Sequence, residues 1–418
     1  MTIRKPPYPP PGDEASPARS PSAHAVRTSS LPRRGFIARF AAALSLSPFA
    51  FPSLTYARTM TNSATDAILA SALPTRQASA NSSIRPFTYH ASQSELDDLR
   101  RRVLAARLPE QEPVSDFSQG VKLATVQRLA HYWATQYDWR KVEARLNAVP
   151  NFLTEIDGLD IHFIHVRSKH ENAMPVIVSH GWPGSIIEQL KLIEPLTNPT
   201  AHGGTAADAF HVVIPSMPGY AFSGKPTTTG WGPERIARAW DVLMKRLGYT
   251  SYVAQGGDWG AIVVDQMGVQ APEGLLGIHT NMPCVVPPDI DAAALAGAPV
   301  PPGLSADEKH AYQQLAAFYK DVYYAFFMGT RPQTLTALAD SPVGLATFMI
   351  DHDARSLELI ARSFNGVSEG LTRDDVLDNI TLFWLTNTAV SAARLYWENK
   401  LGFFTPKGVK IPVAASAF

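Results

Sequence analysis

Val253-Ala254-Gln255-Gly256-Gly257-Asp258-Trp259-Gly260-Ala261-Ile262-Val263 decides how this chain is read. The run from Ser251 to Ala254, apolar and rich in β-branched and aromatic residues, predicts a buried strand. It leads into Gly-Gly-Asp-Trp-Gly and then into a helix-compatible segment. Small residues on both sides of one central residue suit a sharp strand-to-helix turn, because a larger side chain would clash where the backbone doubles back. The arrangement is that of a Gly-x-nucleophile-x-Gly elbow, with Asp258 in the central place. On the pentapeptide alone, a tight turn carrying a surface acid reads equally well.

The neighbouring texture supports the elbow. Val176 to Ser179, Phe210 to Ile214, Tyr252 to Gln255 and Leu275 to His279 are continuous apolar runs, predicting strands buried on both faces, with helical segments between them. Phe152 to Ile156 and Leu159 to Val166 flank Asp157-Gly158 and predict a hairpin. A hairpin followed by strand–helix alternation implies an α/β fold with a mostly parallel sheet and helices on both faces.

N-terminal to the hairpin, the spacing predicts helices from Ser94 (stopped by Pro109), over Val121 to Tyr137, and from about Asp138 to Leu146. From Pro287 to about Gly408 alternation stops. Helices are expected over Asp307 to Phe327, Ser341 to Asp351, Thr372 to Asn379 and Leu382 to Glu398, forming a cap over the carboxyl edge of the sheet. Strand texture resumes at Val409 to Ala415.

Composition narrows the function classes. The chain has 418 residues, 45% apolar and 18% charged, with 37 basic residues against 37 acidic ones, so no basic surface recommends nucleic acid or anionic membrane as a partner. The single cysteine, Cys284, rules out an intrachain disulfide and a zinc–cysteine cluster. Residues 1–32 are rich in Pro, Ser and Ala. Arg33-Arg34-Gly35-Phe36, an apolar stretch from Phe40 to Leu54, and the small residues around Ala57 have the layout of a twin-arginine export signal. Export to the periplasm or exterior is therefore expected, with a chance Arg-Arg in a cytoplasmic protein as the alternative. No transmembrane span is expected after this leader.

His180-Gly181-Trp182-Pro183-Gly184-Ser185 directly follows the Val176 strand. Backbone N–H groups in such a glycine-containing turn, together with the N–H after the nucleophile, can form an oxyanion hole. With Pro215-Ser216-Met217-Pro218-Gly219-Tyr220, Thr330-Arg331-Pro332-Gln333, Asp340 to Ala346 and Tyr396-Trp397-Glu398-Asn399, these motifs make the chain from Ile84 to Phe418 resemble the epoxide hydrolases of the microsomal type, which include juvenile hormone epoxide hydrolases.

The resemblance implies an α/β-hydrolase fold. Residues 1–57 would be a disordered extension with the export signal, and 58–83 a linker. The N-terminal arm and hairpin would occupy 84–170, the core 171–286, the helical cap 287–408, and the start of the C-terminal core 409–418. It further implies that Asp258 attacks an epoxide carbon to form an alkyl-enzyme ester, with no cofactor or metal. Backbone N–H groups of Trp182 and Trp259 would form the oxyanion hole, and the cap phenols Tyr324 and Tyr396 would donate to the epoxide oxygen. His180, Phe327 and Phe348 are expected against a small apolar epoxide, water is the second substrate, and a homodimer is possible.

The family's histidine and acid for ester hydrolysis belong after the strand at Val409 to Ala415. No Gly-Gly-His-Phe stands in this sequence, so the sequence leads one to expect a truncated enzyme lacking the last strand, the last helix and the deacylating pair. A haloalkane dehalogenase, using the Trp259 indole toward a halide, and a non-catalytic remnant are the alternatives. His162 and His165 face opposite sides of a strand and read as structural. Asp351-His352-Asp353 reads as a surface loop after a cap helix rather than a charge relay.

Overall fold

In a computed structural model, residues 82–283 and 285–416 are described. The twin-arginine segment, nearly all of the 58–83 linker and Cys284 lie outside them. Eight strands form one sheet: β1 (Arg85–Phe87), β2 (Asn151–Ile156), β3 (Leu159–Val166), β4 (Met174–Ser179), β5 (Phe210–Pro215), β6 (Tyr252–Gly256), β7 (Leu275–Thr280) and β8 (Val413–Ala415). Their spatial order is β1-β2-β3-β5-β4-β6-β7-β8. The β1–β2, β2–β3 and β3–β5 pairs are antiparallel, and β5, β4, β6, β7 and β8 run parallel. The expected hairpin is present, its turn made by Asp157 and Gly158 at φ 52° and 78°. Positive φ at both central residues is the twist that flanking strands demand.

The four apolar runs lie in the interior of the sheet because both faces there are covered. Ile177, Val212, Val213 and Ile214 are wholly buried. Three helices belong to the arm: α1 (Gln93–Leu104), α2 (Leu123–Thr135) and α3 (Trp139–Asn147). A reciprocal Ser92/Glu95 cap starts α1, and the Asp138 side chain caps α3. The first helix closes at Ala105, whose N–H returns to Arg101 and Val103, well before Pro109 could stop it. The core helices are α4 (Ile186–Thr197), α5 (Pro233–Arg246) and α6 (Trp259–Gln270). Ten of the twelve residues of α6 are buried, which is why it lacks a polar stripe.

The cap consists of α7 (Pro288–Leu295), α8 (Ala306–Asp321), α9 (Tyr323–Thr330), a 3₁₀ segment at Pro332–Ala339, α10 (Pro342–Ile350), α11 (Ala354–Phe364), α12 (Arg373–Leu385) and α13 (Ala389–Glu398). Two expected helices are each divided. Asp307 to Phe327 breaks at Val322, with φ −81° and ψ 38°, and the segment from Leu382 breaks where Asn387 takes φ 50°. Neither α7 nor α11 was expected, and only Val413–Ala415 of the expected last strand pairs with β7.

The arm fastens the cap. Trp133 Nε1–H donates to Thr381 Oγ1 at 3.0 Å, Tyr132 and Tyr137 donate to Asp374 and Asp378 at 2.7 and 2.9 Å, and Arg145 pairs with Asp378. All three partner residues stand on α12, the helix that leads through Asn387 into α13 and Tyr396. Among the described residues, no helix is long and apolar enough to cross a membrane.

Candidate active site

Strand β6 ends at Gly256, and α6 starts at Trp259; Asp258 joins them at φ 51° and ψ −127°. That backbone state is costly for a residue with a Cβ, so the surrounding packing has to impose it. The small neighbours make the imposition possible. A Cβ at Gly256 would stand 2.1 Å from Gly260 O, and one at Gly260 would stand 2.0 Å from Ser179 O. A Cβ at Gly181 would meet the Asp258 carboxylate itself, at 2.2 Å. The elbow and the His-Gly-Trp-Pro turn are thus in van der Waals contact, and only glycine fits between them.

The contact brings the Trp182 N–H to Asp258 Oδ1 at 2.8 Å, and the Trp259 N–H bonds to the same carboxylate. Burial pushes the Asp258 carboxyl above the usual carboxylate range, while these two N–H groups and the charge of His352 pull it back. Two backbone donors converge on one oxygen-bearing group in low dielectric, the geometry of an oxyanion hole.

Above the elbow stands an aromatic cage. Trp182 stacks on Tyr324 with centroids 4.8 Å apart, and meets Tyr396 edge-on at 6.1 Å. The two tyrosine rings are 6.2 Å apart, and Trp259 meets Tyr396 at 4.7 Å. Burial first, then the charge of Asp258, holds both phenols well above their ordinary range. Both therefore keep their protons at neutral pH. The break at Val322 sets Tyr324 in the first turn of α9, and the turn at Asn387 delivers Tyr396 on α13.

The remaining expected residues separate. Phe348 reaches the cage, 6.0 Å from the Trp182 ring. Phe327 is 42% exposed and lines, with Tyr324, Phe348 and Leu335, an outer cavity of about 760 Å³ between arm and cap. His180 is 1% exposed and does not line that cavity. Its Nδ1–H donates to Gly181 O and its Nε2 accepts the Met217 N–H, both at 3.1 Å. Burial pushes its imidazole down to about 4, so it is a neutral strut between two loops. The Trp259 indole is 2% exposed, enclosed by Tyr396 and Phe403.

Two residues of the site went unread in the sequence. Glu188 lines a cavity of about 1110 Å³ together with Asp258, Gly181 and Trp182; its carboxylate accepts the Ser185 N–H at 2.8 Å. Burial pushes its carboxyl up to about 7, with Asp258 adding to the rise. The signal was the Ser185-x-x-Glu188 spacing of a capping box. The other is His352. Asp351-His352-Asp353 is a loop after a cap helix as expected, with Asp351 exposed, but the half-buried imidazole packs against Tyr324 at 4.8 Å and is bonded to its hydroxyl.

A mostly parallel sheet with an aspartate elbow, two converging N–H groups and a helical cap defines an α/β hydrolase. The family model described as "Epoxide hydrolase N terminus" matches residues 84–189, and that of the alpha/beta hydrolase fold matches 174–329. A protein of Stigmatella aurantiaca assigned to the epoxide hydrolases is 50% identical over 80% of this chain and 74% of its own length. Epoxide hydrolase 1 of Oryctolagus cuniculus is 34% identical over 80% of this chain and 78% of its own. The juvenile hormone epoxide hydrolase of the silkworm Bombyx mori superposes with a TM-score of 0.68 at 28% identity, covering 81% of this chain and 83% of that one. The chain belongs to the epoxide hydrolase family.

Proposed function

We propose that this protein opens small apolar epoxides by attack of Asp258 on a ring carbon, giving a β-hydroxyalkyl ester of the enzyme. The observation that carries the reading is the Asp258 carboxylate, fixed by the Trp182 N–H at 2.8 Å beneath two phenols that both sense its charge. A carboxylate suits the task because its product is an ester, cleavable later at the carbonyl, whereas an ether on serine would be permanent. As the ring C–O bond breaks, its electron pair stays on oxygen, and Tyr324 and Tyr396 neutralise that oxygen by donating hydrogen bonds and a proton. The N–H groups of Trp182 and Trp259 would then hold the oxyanion when water attacks the ester. Aromatic walls at Trp182, Phe348 and Phe327 favour apolar substituents on the epoxide.

Replacing both Tyr324 and Tyr396 with Phe tests the electrophilic half of this mechanism. Consumption of styrene oxide should fall by about 10²-fold or more, with the fold intact by circular dichroism. Undiminished consumption in the double variant contradicts the assignment. Export rests on Arg33-Arg34, and a homodimer on the sequence reading; fractionation of expressing cells and sedimentation velocity check the two.

A further inference from the structure

The loop between α10 and α11 places His352 behind Tyr324. Its Nε2 is 2.7 Å from the Tyr324 hydroxyl oxygen, and its Nδ1 is 3.0 Å from Asp353 Oδ2. Asp353 is itself immobilised, accepting the Ser356 N–H at 2.9 Å and the Ser356 hydroxyl at 2.6 Å as the N-cap of α11. The imidazole also packs beside both rings: it lies 33° from the Tyr324 ring at 4.8 Å and 26° from the Trp182 ring at 6.2 Å. Trp182 is the residue whose N–H holds Asp258. A connected line therefore runs from Asp353 through His352 to Tyr324, facing the nucleophile.

The charged and titratable surroundings are consistent with such a line. Asp353 faces His352 from its own loop, and its carboxyl is held well below the usual range, first by the His352 hydrogen bond. Tyr324 faces it from α9, and Asp258 senses its charge from the elbow. Asp351 precedes it, raised by burial and by Asp321 rather than by His352. A neutral His352 would accept the Tyr324 proton and turn it away from the substrate. A protonated His352 donates Nδ1–H to Asp353 and Nε2–H to the Tyr324 oxygen, leaving the Tyr324 proton free for the epoxide.

We propose that His352, oriented by Asp353, is the positioning residue that supplies Tyr324 with its proton during epoxide opening. This rests on the mechanism proposed above. In the step, the Asp258 oxygen–carbon bond forms and the ring carbon–oxygen bond breaks, its pair remaining on oxygen. That oxygen takes the Tyr324 proton, Tyr324 takes the Nε2 proton, and the imidazolium becomes neutral imidazole, recharged from solvent after the step. Attack thus draws on the Nε2 proton of His352, and ester formation should decline with rising pH.

The test is the rate of ester formation on Asp258, followed by rapid quench and mass spectrometry with styrene oxide across pH, in the full chain. His352→Gln should slow it on the order of 10²-fold and abolish the alkaline decline. Asp353→Ser keeps a competent helix cap but removes the carboxylate, and should move the decline to lower pH. In a Tyr324→Phe background, His352→Gln should add nothing. An unchanged rate and pH profile in His352→Gln, or full additivity with Tyr324→Phe, overturns the role of His352 while leaving Asp258 in place. No ester in the parent chain overturns both readings.

Discussion

Asp258 and Glu188 are two carboxyl groups that line one cavity, and burial raises both. Glu188 resists ionisation chiefly because it is buried, and further because the Asp258 charge is near. The sign of the consequence follows from linkage. The folded protein holds the Glu188 proton up to about 7, whereas the unfolded chain releases it in the ordinary carboxylate range. Between those limits the native state binds more protons, so the stability that this protonation provides is present at low pH and is lost as pH rises toward about 7. Glu188→Gln should flatten the difference in urea stability between about pH 5 and about pH 8; an unchanged difference contradicts the assignment. At this scale the sequence was legible where a motif fixes chemistry, as at Asp258 and Trp182. It was not legible at His352, because an Asp-His-Asp triplet after a helix is consistent with solvent as readily as with a phenol from another helix.

Local elements explain how two phenols from distant segments meet. Hydrophobic periodicity foretold most of the cap helices but not their breaks, because apolar residues continue through Val322 and resume on both sides of the short turn at Thr386 to Thr388. What divides them is tertiary: α9 and α13 each have to turn a tyrosine toward the elbow. Asn387 makes the second break at φ 50°, a conformation that Asn tolerates better than residues without a short polar side chain. Asn387→Ala should cost about 1 kcal/mol in urea denaturation, and Asn387→Gly should cost little. Equal effects of the two substitutions contradict a conformational role for this turn. The hairpin was readable because Asp-Gly carries its own turn chemistry, and α11 was missed although Asp353 and Ser356 have the spacing of a cap.

At the scale of the molecule, the strand–helix alternation was sufficient to predict a mostly parallel sheet, and the sheet order carries the elbow to the middle of the five parallel strands, with β6 between β4 and β7. What alternation could not reveal is the short β1 that brings the arm onto the hairpin, or the arm's grip on α12 through Thr381, Asp374 and Asp378. A strand of three residues has no periodicity to detect. This architecture matters for chemistry: the sheet and the His-Gly-Trp-Pro turn fix the nucleophile, while the clamped cap fixes its acids above it. The most direct measurement is peptide mass mapping of the full chain after brief exposure to styrene oxide and rapid quench. One equivalent of epoxide mass is expected on the peptide containing Asp258, and none in Asp258→Asn. An adduct on another residue, or epoxide consumption that persists in Asp258→Asn, would contradict Asp258 as the nucleophile.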